Sequence, residues 1–122
     1  YLYLGNFYLN QQRYDEAVEA YQNALELEPD QVQAHSALGY IYSRQGKLEE
    51  AVQENLAVLE ISPNDYASHK NLAILYQQLG QIDNALEAAE TALTMAPADE
   101  AEALRSFIAQ REAARAGQAG EP

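Results

Sequence analysis

Residues 38–63 read LGYIYSRQGKLEEAVQENLAVLEISP, and a step of 34 positions in either direction lands on the same frame. Gly39, Tyr42, Ala51 and Pro63 are preceded by Gly5, Tyr8, Ala17 and Pro29. They are followed by Ala73, Tyr76, Ala85 and Pro97, where one glycine has become alanine. Leu4, Leu38 and Leu72 keep the step, as do Leu27, Ile61 and Met95. A fixed period between about 20 and 50 residues marks a stacked-repeat protein. Each unit is too small to bury its apolar face alone, so neighbours stack, and the stack presents a long surface for binding.

Apolar residues recur at helical spacing, broken by short turns. Tyr1, Leu4, Phe7, Tyr8 and Leu9 predict a first helix, and Asp15–Glu28 a second carrying Ala17, Val18, Tyr21, Ala24, Leu25 and Leu27. Pro29 ends the second, and Asp30 is placed to cap the next. The unit repeats as Gln31–Arg44 with Lys47–Ile61, then as Asp65–Gln78 with Ile82–Met95. Gly46 and Gly80 stand where the first helix of a pair must stop, which suits a left-handed C-cap, and Gln12 takes that place in the first unit. A seventh helix is expected to start at Asp99, with Glu102 completing a capping box and Leu104, Phe107 and Ile108 as its apolar stripe. It breaks the repeat pattern and reads as a cap packed on the sixth helix. The divisions expected are 1–30, 31–64 and 65–98 for three repeats, 99–115 for the capping helix and 116–122 for a flexible tail.

The unit resembles the tetratricopeptide repeat, whose pattern is Leu-Gly-x-x-Tyr, then alanine, an aromatic, alanine and proline. The first copy matches as Leu4-Gly5-Asn6-Phe7-Tyr8, Ala17, Tyr21, Ala24 and Pro29. The second matches as Leu38-Gly39-Tyr40-Ile41-Tyr42, Ala51 and Pro63, departing at Asn55 and Val58. The third matches as Leu72-Ala73-Ile74-Leu75-Tyr76, Ala85, Ala92 and Pro97, with Ala89 for the aromatic. The resemblance implies an all-α, right-handed superhelix of antiparallel helix pairs (an α-solenoid), seven helices in all. In such a fold the first helix of each pair lines a concave groove and the second faces outward.

On that arrangement the charge is unevenly placed. The chain carries 19 acidic and 7 basic residues, a net charge of −12, yet residues 1–12, 31–45 and 66–80 contain no acid. Those are the three groove-lining helices. The acids fall on the outer helices, among them Asp15, Glu16, Glu49, Glu50, Glu54, Asp83 and Glu87. The family's groove stripe maps onto Asn6, Leu9 and Asn10, with Leu2, in the first unit. It maps onto Gln33, Ser36, Tyr40, Ser43 and Arg44 in the second, and onto Lys70, Ile74 and Gln77, flanked by Ala67 and Gln78, in the third. Amides and hydroxyls there suit the backbone of an extended peptide. Tyr40 offers a large contact with few torsions to freeze, and Arg44 and Lys70 are expected to receive a carboxylate. The basic clamp with which some cochaperones of this family hold acidic tails is missing, since Leu2, Ala37, Ala67 and Asn71 stand at its positions and only Asn6 fits.

Other chemistries find little support. There is no cysteine to form a disulfide, a thiol nucleophile or a metal site. His35 and His69 share one repeat position on adjacent helices, without a carboxylate on either helix to complete a metal site, and read as packing residues. No phosphate-cradling loop or nucleophile relay can be assembled, and so few basic residues work against nucleic acid. No cofactor, metal or catalytic residue is expected. The leading expectation is a non-catalytic interaction module that takes a partner peptide or helix in its groove. The second is an accessory or assembly subunit of a larger, membrane-associated or soluble complex, docking through its ends or convex face. Tyr1 already lies in a helical pattern with no initiator Met, so the chain reads as a segment of a longer product, and its compartment stays open.

Overall fold

The computed structural model describes the backbone of residues 1–120 and side chains through residue 117. Among the described residues there are seven α-helices and no strand. They are α1 (Leu2–Asn10), α2 (Tyr14–Leu27), α3 (Val32–Arg44), α4 (Leu48–Ile61), α5 (Tyr66–Gln78), α6 (Ile82–Met95) and α7 (Ala98–Gly120). The chain divides into two compact units, Tyr1–Pro63 with α1 to α4 and the remainder from Asn64 with α5 to α7.

The turn inside each helix pair is the same device three times. Gln12, Gly46 and Gly80 take left-handed φ of 60°, 76° and 77°. The next backbone N–H then reaches back to a tyrosine carbonyl: Arg13 to Tyr8 at 2.9 Å, Lys47 to Tyr42 at 2.8 Å and Gln81 to Tyr76 at 2.8 Å. The N–H groups of Gln12, Gly46 and Gly80 close the inner bond onto Leu9, Ser43 and Gln77. This pair of bonds is a Schellman motif, which satisfies carbonyls that a helix end would leave open. Between pairs, Glu28, Ser62 and Ala96 are each extended, the geometry that a following proline imposes.

In the first unit Ala17, Tyr21, Ala34, Leu38 and Ile41 form a buried cluster, with Leu2, Tyr8, Leu9, Val18 and Tyr42 packed around it. Tyr21 lies against Gly5, where an added Cβ would stand 2.6 Å from the ring. At the matching place in the next pair Asn55 lies against Gly39, buried, and donates from Nδ2 to the Ala51 carbonyl at 2.8 Å. In the second unit α5 packs on α6 and α6 on α7, around Leu72, Leu75, Ala85, Leu86, Ala89 and Ala92.

Four expectations need correction. Asp30 does not cap α3: Gln31 flanks that helix and no side chain bonds its end. Asp65, by contrast, accepts from the Ser68 N–H at 3.0 Å and caps α5. Helix α7 starts at Ala98, so Asp99 lies in its first turn, and the Pro97 carbonyl accepts the first N–H bonds, from Glu100 and Ala101 at 3.0 Å. It also continues past Arg115 to Gly120; Glu121 and Pro122 of the expected tail lie outside the described residues. Finally, Ala101, Leu104 and Ile108 form the buried side of α7, while Phe107 is only half-buried.

Candidate functional site

Helix α3 buries Ala34, Leu38 and Ile41, which share one face at helical spacing. Gln33, Ser36, Tyr40, Ser43 and Arg44 are left exposed, and Tyr40 shows 52% of its surface. On α1, Asn6 and Asn10 are exposed, whereas Leu9 is half-buried against the core cluster. Asn6 is held from beneath. Because Gly5 lets the Tyr21 ring approach, the Tyr21 hydroxyl emerges beside α1 and donates to Asn6 Oδ1 at 2.5 Å. Burial raises the Tyr21 phenol above its ordinary value of 10.0, so it stays a donor. The Asn6 amide is thereby oriented with its Nδ2 left to donate to another molecule.

In the second unit Ile74 and Gln77 of α5 are exposed as expected, but Lys70 is not an open cation. Its ammonium donates to Glu100 Oε1 of α7 at 2.7 Å, and this bond raises the Lys70 pKa. The first turn of α7 thus brings Asp99 and Glu100 to the side of an α5 that has no acid of its own. The two helices enclose a cavity of about 230 Å³ lined by Tyr66, Ile74, Leu104 and Phe107, among others. The sequence held a signal for this: a step of 34 from Tyr66 lands on Glu100.

Outer-helix acids are exposed at Asp15, Glu19, Glu49, Glu50, Asp83, Glu87 and Glu90. Glu16, paired with Arg13, is only half-exposed, and so is Glu54. Glu54 Oε2 lies 2.7 Å from His35 Nδ1, and His35 Nε2 lies 2.9 Å from the Pro29 carbonyl. Both ring nitrogens are occupied, so His35 fastens α3 to α4 and to the preceding turn. No carboxylate lies on α3 itself, as the sequence indicates; Glu54 comes from the partner helix, 19 residues away.

A repeated pair of helices, closed by one turn motif and carrying its polar variation on exposed stripes, defines a helical-repeat interaction domain. A tetratricopeptide repeat profile matches residues 30–98, more than half of the chain, and a TPR repeat profile matches residues 5–46. The chain belongs to the tetratricopeptide repeat family, and its functional class is that of a protein-interaction module. Among solved structures it is similar to MamA AMB-1, at 24% identity and TM-score 0.84 over 94% of this chain and 62% of that one. It is also similar to PcrH in complex with the chaperone-binding region of PopD, at 22% identity and TM-score 0.80 over 93% and 90% of the two chains. The TPR2B domain of yeast Sti1, in its pHsp70 complex, aligns at 18% identity and TM-score 0.75 over 89% and 90%. These likenesses establish the fold. The chain spans 62–66% of the length of the MamA chains it resembles. No curated protein matches it.

Proposed function

We propose that this chain is a non-catalytic module that binds an extended or helical segment of a partner protein along the exposed stripes of its inner helices. The observation that carries the reading is the composition of the α1 and α3 stripes. Amides, hydroxyls, one large exposed aromatic and one cation stand there without any acid, in a chain of net charge −12. Tyr40 supplies contact area, Asn6 a pre-oriented donor and Arg44 the charge that orients an acidic group. Protein or peptide partners agree with PcrH bound to a region of PopD and with the Sti1 domain in its pHsp70 complex.

A second reading, docking as a subunit of a larger assembly, is favoured by α1, where Tyr3 is 85% and Phe7 52% exposed alongside Tyr1 and Leu4. One comparison separates the two. Partner binding should fall at least tenfold with Tyr40→Ala, and the Arg44→Ala effect should shrink as salt rises. Reversing Glu49 and Glu50 to lysine on α4 should leave binding unchanged. Loss of binding on the α4 reversal, with the α3 variants silent, moves the interface to the outer face.

A further inference from the structure

We infer that the cavity between α5 and α7 seats one branched or aromatic apolar side chain of the partner segment, with a lysine or arginine beside it. The inference rests on the peptide-binding reading above and adds the chemistry of the ligand at one end of the chain. Size comes first. A volume of about 230 Å³ falls below the roughly 300 Å³ at which small-molecule sites begin, yet exceeds the about 150 Å³ that holds a benzene ring. It fits one side chain.

The walls then set the class. Ile74 from α5 and Leu104 and Phe107 from α7 are apolar, and Ile74 and Phe107 are only partly covered by the protein itself. At one end the Tyr66 hydroxyl is buried without a hydrogen-bond partner. Burial, with the Glu100 carboxylate beside it, raises its pKa.

Charge decides the flank. Lys70 is neutralised by Glu100, so Asp99, which is in no ion pair among the described residues, sets the sign at this end. The other cation near the cavity, Arg111, stands over the Phe107 ring at 5.2 Å, three turns and about 18 Å along α7 from Asp99. The Tyr66 end is therefore negative and selects a basic neighbour for the anchor, opposite to what Lys70 alone would select.

The probe is an acetylated and amidated hexapeptide, Gly-Ser-Leu-Lys-Ser-Gly, titrated into the full chain and followed by amide chemical shifts, which read millimolar binding. Saturable shifts are expected at Ile74, Ala103 and Phe107. Alanine in place of the leucine should weaken them about tenfold or more, and glutamate in place of the lysine about two- to fivefold. Ala103→Phe, a substitution at an exposed position on the cavity wall, should abolish them. Glu100→Gln should abolish the preference between the lysine and glutamate peptides. Absent shifts, shifts that survive Ala103→Phe, or a wild-type preference for the glutamate peptide overturn the inference. The peptide-binding reading is tested separately at Tyr40 and Arg44 in the other unit, so the two failures are distinguishable.

Discussion

Two kinds of glycine operate at the residue scale, and they separate cleanly by experiment. Gly46 has open space around it but sits at φ 76°, so Gly46→Ala should destabilise by about 1 kcal/mol through backbone strain alone. Gly5 has ordinary helical geometry but no room, since its Cβ would meet the Tyr21 ring at 2.6 Å; Gly5→Ala should cost about 1–3 kcal/mol by overpacking. A Cβ at Gly39 would meet the Asn55 amide at 3.1 Å, and Gly39→Ala should be far milder. Gln12 adopts the conformation of Gly46 without being glycine, so Gln12→Gly should stabilise by about 0.5–1 kcal/mol. Denaturant titration of the four variants reads all of these, and an order other than Gly5→Ala worst and Gln12→Gly best rejects the assignment. Asn55 takes the place of the repeat aromatic, and its bond to Ala51 engages a carbonyl in its own helix. Asn55→Tyr is expected to stabilise, and to lose that gain when combined with Gly39→Ala, as Gly5 and Tyr21 imply. Destabilisation by Asn55→Tyr alone would show a site already closed around the amide.

Among the elements, the helices and their turns were legible because a 34-residue period repeats each signal and local chemistry sets each boundary. The glycine, tyrosine and proline positions are all short-range devices. What escaped the sequence lies between helices. Lys70 meets Glu100 across 30 residues and His35 meets Glu54 across 19, distances at which spacing carries no angular information. Helix α5 carries no acid of its own, yet the first turn of α7 brings acids to it. The start of α7 was misplaced because Asp99 looked like a cap in a place where the Pro97 carbonyl already served. Removing residues 99–122 should uncover the side of α6 on which α7 packs and lower the melting temperature by several degrees, since terminal helical pairs need a covering element. Lys70→Met tests the tie alone and should cost at most about 1 kcal/mol, because both partners are more than a third exposed. An unchanged melting temperature on truncation would remove the capping role from α7.

At the scale of the whole molecule, four groups share one direction of shift. The phenols of Tyr21, Tyr42 and Tyr66 and the ammonium of Lys70 all hold their protons more tightly than the ordinary values of 10.0 and 10.5. Burial leads for the tyrosines, and the Glu100 bond leads for lysine. A pKa raised by folding contributes stability that is complete below the unfolded value and disappears as pH climbs through the folded one. Melting temperatures should therefore fall above about pH 10, with Tyr21→Phe losing part of the dependence; a flat profile from pH 9 to 11.5 contradicts this. Net charge works in the same sense, since a chain at −12 gains further negative charge there and repels itself.

The glycine-to-aromatic contacts bear on a hazard particular to repetitive chains. Three helix pairs of similar sequence could trade partners, within one chain or between copies, and still bury apolar surface. Their mating surfaces differ in volume: a ring against a bare backbone at Tyr21 and Gly5, an amide against a bare backbone at Asn55 and Gly39, and alanine at both Ala89 and Ala73. Helix α2 laid on α5 would drive the Tyr21 ring into a methyl group, and α6 laid on α1 would leave a void where that ring belongs. Each second helix is thus keyed to its own first helix, and departures from the repeat pattern that look like decay keep the copies from exchanging places.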